Sequence, residues 1–147
     1  MTELVTTHLA DTGVLTVSLN RPEVLNSLNR PIVERLIEVM TDADKNDAVR
    51  SIILTGEGRG FCAGADLANG QWPSNEGWSG GDVTANAMEV GYNPLVRAIA
   101  FNSKPVVTAV NGVAAGGGVG IALAGDIVIA GESAKFKLVF ARQLGII

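Results

Sequence analysis

The stretch NGVAAGGGVGIALAGD, Asn111–Asp126, follows the strand-like KPVVTAV and carries almost no side-chain chemistry. What it offers is backbone that can approach a ligand closely and point N–H groups at it. A second stretch, LTGEGRGFCAGADL (Leu54–Leu67), has the same grammar: an apolar strand delivers the chain to a loop of small residues expected to open a helix. Helix N-termini carry unpaired N–H donors and the positive end of the macrodipole, so they favour oxyanions. Two such junctions on one sheet can converge on one oxygen. That suits an ester or thioester carbonyl that gains charge as it reacts, where a preorganised donor is worth roughly 10²–10³ in rate. Close packing of helix on strand also selects glycine, because a Cβ would clash. The glycines by themselves leave both readings open.

Side chains that usually move protons are scarce. His8 is the only histidine; it falls in a predicted hairpin far along the chain from both junctions and is expected on a surface or edge strand. Cys62 lies inside the first junction with no histidine nearby in sequence to serve as its base, which predicts a small buried packing residue. Asp66 and Asp126 flank the two junctions and are expected to make structural hydrogen bonds. No His/Cys/Asp/Glu group has metal-ligand spacing, so no metal is expected. The spacing G-x-G-x-x-G fails from either Gly116 or Gly118, and there is no Walker motif, which argues against a nucleotide cofactor.

The elements that must position these stretches follow from periodicity. LVTTHLADTGVLTVSL alternates apolar and polar residues about Asp11–Gly13 and predicts a hairpin with strands over 4–9 and 14–19. Asn29 is placed to cap a helix with Pro31 in its first turn. Ile32, Val33, Leu36, Ile37, Val39 and Met40 then keep one apolar face to about Asp44. VRSIILTG reads as a buried strand ending at Gly56, with a polar loop over 57–60. The segment ANGQWPSNEGWSGGDVT is too long for a simple connection. A helix is predicted from Thr84 to Asn102, interrupted before Pro94, then KPVVTAV as a buried strand, AGGGVGIALAG as a helix and DIVIAG as another buried strand. Apolar strands alternating with helices imply right-handed crossovers and a largely parallel sheet covered on both faces.

The 147 residues amount to about one domain. An apolar fraction of 47% with 18% charged residues describes a globular chain. A net charge of −4 argues against nucleic acid as a partner. One cysteine cannot form an internal disulfide, and MTELVTTHLADTG lacks the basic-then-apolar order of a signal peptide. The longest candidate for a membrane span, Val106–Ala130, is broken by Asn111, several glycines and Asp126. A cytoplasmic protein with no membrane partner is expected. FKLVFARQLGII stops on an apolar run without a helix stop signal, which reads as a chain cut short.

SIILTGEGRGFCAGADL and KPVVTAVNGVAAGGGVGIALAGDIVIAGESAKF resemble the two signature regions of the crotonase superfamily of enoyl-CoA hydratases and isomerases, and SLNRPEVLNSLN resembles its N-terminal region. The resemblance implies an α/β fold, a crotonase-like spiral of β-β-α units. Residues 1–147 would form its N-terminal core, without the C-terminal helical region that builds homotrimers or dimers of trimers. It implies acyl-CoA substrates, with coenzyme A as part of the substrate and no separate cofactor, and an enolate held by two backbone amides. Carried over by position, those amides belong to Ala65 and Gly117. Glu23, Val24 and Asn26 would lie along the CoA, as would Ala63, Gly64, Asp66, Leu67 and Gly116. The loop Asn69–Gly81, with Trp72 and Trp78, would cover the acyl pocket.

Two departures bear on the reaction. Hydratases of the family carry a glutamate where this chain has Gly120, and a second where it has Phe140. The carboxylates that activate and protonate water are therefore missing, at a typical cost of about 10²–10⁴ in rate for each positioned acid–base group. YNPLVRAIA, NGVAAGGG and FKLVFARQLGI instead resemble the epoxyphenylacetyl-CoA isomerase-like branch, in which an aspartate just beyond the equivalent of Ile147 is the candidate proton shuttle. An isomerase that moves a double bond or opens an epoxide is expected. The alternatives are a hydratase with an unrecognised base and a catalytically silent acyl-CoA-binding homologue.

Overall fold

A computed structural model describes residues 3–139, so the expectations for Phe140 and for the final apolar run lie outside the described residues. The strands are β1 (Val5–Leu9), β2 (Val14–Leu19), β3 (Ser51–Gly56), β4 (Gly60–Cys62), β5 (Val106–Val110), β6 (Val113–Ala115), β7 (Ile127–Ala130) and β8 (Lys135–Lys137). The helices are α1 (Arg30–Lys45), α2 (Gly80–Ala87), α3 (Asn93–Ala100) and α4 (Gly117–Ala122).

Two sheets result. The larger has the order β1-β2-β3-β5-β7, with β1 antiparallel to β2 and every later pairing parallel. The smaller has the order β4-β6-β8, all parallel. Each long strand of the larger sheet is followed by a short strand of the smaller one: β3 by β4, β5 by β6, β7 by β8. After β4 and β6 the chain goes on to helices, so the β-β-α spiral expected from the resemblance is present. The second sheet was not predicted from periodicity, because GFC, VAA and KFK are too short to show any.

Local chemistry sets the helix ends. The Asn29 side chain accepts from Ile32 N at 3.2 Å and opens α1, whose face of Ile32, Val33, Leu36, Val39, Met40 and Ala43 is buried. A reciprocal capping box between Ser79 and Asp82 starts the next helix at Gly80, four residues before the predicted Thr84. The predicted interruption before Pro94 is a π turn over Met88–Tyr92, where the Asn93 N–H donates five residues back to Met88 O. Pro94 lies in the first turn of α3 and has no N–H of its own to offer. Leu95 and Ile99 of α3 join Leu19, Leu28, Leu36, Met40, Leu54, Phe61 and Ile121 in one continuous core.

The strand DIVIAG corrects its prediction. Ile127, Val128 and Ile129 are 56%, 38% and 58% exposed, because β7 is the end strand of its sheet and pairs only with β5 among the described residues. An apolar run reports the preference for burial, and the covering layer decides whether burial occurs.

Close approach fixes the smaller sheet against α4. A Cβ added at Gly118 would stand 2.2 Å from the Cys62 carbonyl oxygen, so that helix can seat on β4 only with glycine there. Gly118→Ala should therefore lower stability by about 1–3 kcal/mol, as overpacking does. Gly80→Ala, with no atom within 4 Å of the new methyl, should be neutral or stabilise by up to about 1 kcal/mol. Urea midpoints of the two variants check the contrast, and equal effects would contradict it.

Candidate oxyanion site and its chambers

The site begins where the smaller sheet ends. β4 and β6 run side by side with Cys62 opposite Ala114, so both deliver the chain to the same edge. Beyond them Gly64 takes φ +91° and Gly116 takes φ +51°, backbone that side chains with a Cβ rarely adopt. A Cβ on Gly64 would also lie 2.6 Å from Ala115 O and 3.3 Å from Gly117 N, so the two loops touch at this point. Ala65 and Gly117 follow directly.

Both amides are free for a reason that lies in the backbone. Leu28 donates to Gly64 O at 2.7 Å and accepts from Asp66 N at 2.9 Å, which makes a parallel bridge between Leu28 and Ala65. In that pattern the bonds go to the residues on either side of Ala65, and its own N–H points away from Leu28. Gly117 opens α4, so its N–H has no carbonyl one turn back to bond. Neither N–H has a partner among the described residues. The first junction differs from its prediction in one respect. It opens no helix: the chain turns at Leu67–Asn69, held by Asp66 Oδ1 accepting from Ala68 N and Asn69 N at 3.2 and 2.9 Å. A helix N-terminus therefore acts on one side of the pair only.

The pair stands between cavities. On one side lies a cavity of about 330 Å³ bordered by Ala63, Gly64, Leu67, Gly116 and Lys137. On the other lies an apolar chamber of about 240 Å³ walled by Met88, Tyr92, Leu95, Val96 and Ile121. Ala65 and Gly117 border both. Gly120 borders the chamber too, and nothing lies within 4 Å of a Cβ built on it, so no carboxylate reaches the donors from that position. A third cavity, of about 380 Å³, adjoins this chamber at Ala65, Met88 and Tyr92 and is roofed by Trp72. The Trp72 indole rests on Gly91, where a Cβ would be 2.0 Å from the ring, and lies 5.2 Å from the Tyr92 ring at 47°. Trp78, 37% exposed, is not packed with it. Of the two tryptophans expected over the pocket, Trp72 lines a chamber wall.

The remaining residues implied by the resemblance divide into surface and scaffold. Glu23 and Val24 are exposed on a single 3-10 turn, Pro22–Val24, which is tied to the site because Leu25 O accepts from Ala63 N at 2.9 Å. Asn26 departs from its expected place along a ligand. It is 0% exposed; its Oδ1 accepts from Arg21 N at 2.8 Å and its Nδ2 donates to Glu57 O and Gly60 O at 3.0 and 2.8 Å. It holds the loop in a φ +56° conformation and leaves no side-chain face to a ligand. Asp66 is also part of the frame: Arg21 Nη2 lies 3.0 Å from Oδ2, with the two side chains 13% and 8% exposed. Burial pushes the Asp66 carboxyl up, but the Asn69 N–H, the Arg21 guanidinium and the Ala68 N–H outweigh it and hold the group below the usual carboxylate range.

Cys62, His8 and Asp126 behave as read from the sequence. Cys62 is 0% exposed and burial pushes its thiol up to about 12, so it packs and is no thiolate. His8 is exposed on the edge strand β1. Asp126 accepts from Val106 N at 2.8 Å and fixes the start of β5. Among the described residues no three His, Cys, Asp or Glu side chains come together to hold a metal. The sequence reading gave Met88, Gly91 and Tyr92 no place in the site; the signals were Pro94, which marked an interruption, and YNPLVRAIA, which Tyr92 opens.

Two sheets built from β-β-α units, with two glycine-turned loops in contact beside the smaller one, define a crotonase-type fold. Residues 10–147 match the enoyl-CoA hydratase/isomerase family, and the chain belongs to that family. It is 46% identical to the 1,2-epoxyphenylacetyl-CoA isomerase of Escherichia coli strain K12 over 100% of this chain and 54% of that protein. It is 41% identical to a probable enoyl-CoA hydratase of Rhodobacter capsulatus over 88% of this chain and 47% of that one. Among solved structures, an enoyl-CoA hydratase from Bacillus anthracis superposes with a TM-score of 0.79 at 32% identity, covering 91% of this chain and 50% of that one. A monofunctional enoyl-CoA isomerase from M. smegmatis gives 0.72 at 34% identity, covering 92% and 52%. The chain thus spans about half the length of the curated relatives it matches.

The Arg21–Asp66 pair gives a pH test. A carboxyl lowered in the folded state adds stability that is complete above its unfolded value, about pH 4, and lost as pH falls through the folded value. Asp66→Asn should unfold more easily than the parent at pH 7, and the gap should close as pH drops below about 4. A gap unchanged from pH 7 to 3 in denaturant titrations would contradict this.

Proposed function

We propose that the full-length protein is an acyl-CoA isomerase in which Ala65 and Gly117 N–H groups hold the thioester oxygen while a proton moves between carbons of the acyl group. The observation that carries the reading is the pair of unpartnered amides standing between two cavities, one for the CoA arm and one for the acyl chain. As the α-carbon loses its proton, charge passes to the thioester oxygen, and donors already in place stabilise it without reorganisation. The apolar lining of the chamber lowers the local polarity and strengthens both hydrogen bonds. Exposed Glu23 and Val24, with Ala63, Gly64, Leu67 and Gly116, would flank the CoA, and the Asp66 carboxylate would serve through the loop it braces.

Isomerisation is favoured over hydration by Gly120, which leaves the chamber without the carboxylate that would activate water. The 46% identity to an isomerase that acts on 1,2-epoxyphenylacetyl-CoA supports the same direction. The proton-moving group is assigned to the further length that the relatives have. A cytoplasmic homotrimer is proposed with it, in keeping with the absence of any helix among the described residues long and apolar enough to cross a membrane, and with the exposed apolar strand β7.

Gly117→Pro tests the reading most cleanly. Proline is favoured at the first position of a helix and removes the N–H alone. Gly116, at φ 51° and ψ −123°, is in the mirror image of the extended conformation that a residue before proline prefers, which glycine alone adopts readily. In the full-length protein the variant should fold normally and convert 3-hexenoyl-CoA to the conjugated 2-isomer about 10²–10³ times more slowly. Unchanged turnover would overturn the donor assignment. Rapid hydration of crotonyl-CoA by the parent protein, without isomerisation, would overturn the choice of reaction.

A further inference from the structure

We infer that Tyr92 is a positioning residue for the Ala65 donor, acting through the carbonyl of Leu28; the inference rests on the reading of Ala65 and Gly117 as the oxyanion pair. Leu28 is 0% exposed and grips both flanks of Ala65, through Gly64 O at 2.7 Å and Asp66 N at 2.9 Å. The Leu28 N–H holds Gly64 O, which shares a peptide plane with the Ala65 N–H, and the Leu28 carbonyl holds the Asp66 N–H in the next peptide, so Leu28 fixes the planes on both sides of Ala65. A carbonyl oxygen has two lone pairs. The second is met by the Tyr92 hydroxyl, which donates to Leu28 O at 3.3 Å from the π turn, 64 residues away in sequence.

Tyr92 is itself held in place. Its ring lies against Trp72, and the neighbouring Gly91 lets that indole sit flush on the turn. The π turn and the proline that follows it place the ring on the wall shared by the two chambers, beside Ala65. One side chain thus faces the acyl group with its ring and the donor loop with its hydroxyl. Burial pushes the phenol up from its ordinary value, so the hydroxyl keeps its proton and remains a donor at neutral pH. No other side chain among the described residues hydrogen-bonds to the backbone of Leu28.

The bond is longer than usual for O–H···O, so its loss should cost a small part of what losing a direct donor costs. Tyr92→Phe keeps the ring and removes the hydroxyl, and with it the bond to Leu28 O. In the full-length protein we expect kcat on 3-hexenoyl-CoA to fall about 3- to 10-fold, with KM changed less than about twofold. A purely structural role would instead lower the melting temperature and leave the bound carbonyl as it was. The spectroscopic readout is the Raman difference spectrum of bound hexanoyl-CoA carrying ¹³C at the thioester carbonyl. The parent protein should lower the C=O stretch relative to free thioester, and Tyr92→Phe should lower it less. An equal lowering in both proteins, or a kcat unchanged in the variant, overturns the brace and leaves the donor pair standing. No lowering in the parent overturns the donor pair, and the brace with it.

Discussion

Three residues of parallel pairing, Gly60–Cys62 against Val113–Ala115, carry the rest of the site. The strands are too short to be stable alone, and their sheet exists because the larger one delivers β3 and β5 beside each other. Once they pair, the two glycine turns that follow are brought into contact, and Gly118 can slide under Cys62 to start α4. Two N–H groups from distant parts of the chain then face one region of space. In the proposed reading the backbone supplies the chemistry, and side chains keep it rigid.

That division of labour explains where the polar side chains went. Asn26, Arg21 and Asp66 are nearly sealed from water, and each is engaged with backbone of the loops around β4. Leaving such a buried partner unsatisfied costs about 1–3 kcal/mol, so the loops have little freedom to relax away from the donor geometry. Met88, Leu95, Val96 and Ile121 line the same region with apolar surface. Preorganised dipoles beside apolar surface are worth more than the same dipoles in bulk water.

The sequence disclosed the parts in proportion to how local their signals are. The hairpin, α1 with its Asn29 cap and the long strands were legible, since periodicity and caps act over a few residues. The two glycine-rich stretches were legible as loops that follow apolar strands, and their contact at Gly64 and Gly117 is what the structure adds. The second sheet was not legible, because three-residue strands are too short for alternation to stand out. The burial of the Asn26 side chain was not legible, because a polar residue in a loop gives no sign that the carbonyls of Glu57 and Gly60 will be its partners. The exposure of Ile127 and Ile129 shows the same limit for apolar residues, where a neighbouring layer settles what composition leaves open. Tyr92 stood in the sequence only as the first residue of YNPLVRAIA, because its contact with Leu28 spans 64 residues.

The most direct test of the account is a crystal structure of the full-length protein with bound hexanoyl-CoA. The account places the thioester oxygen at hydrogen-bond distance, about 2.7–3.1 Å, from both Ala65 N and Gly117 N, with the acyl chain against Met88 and Tyr92. A thioester oxygen turned to solvent, or bonded to one amide while the other stays empty, would contradict it.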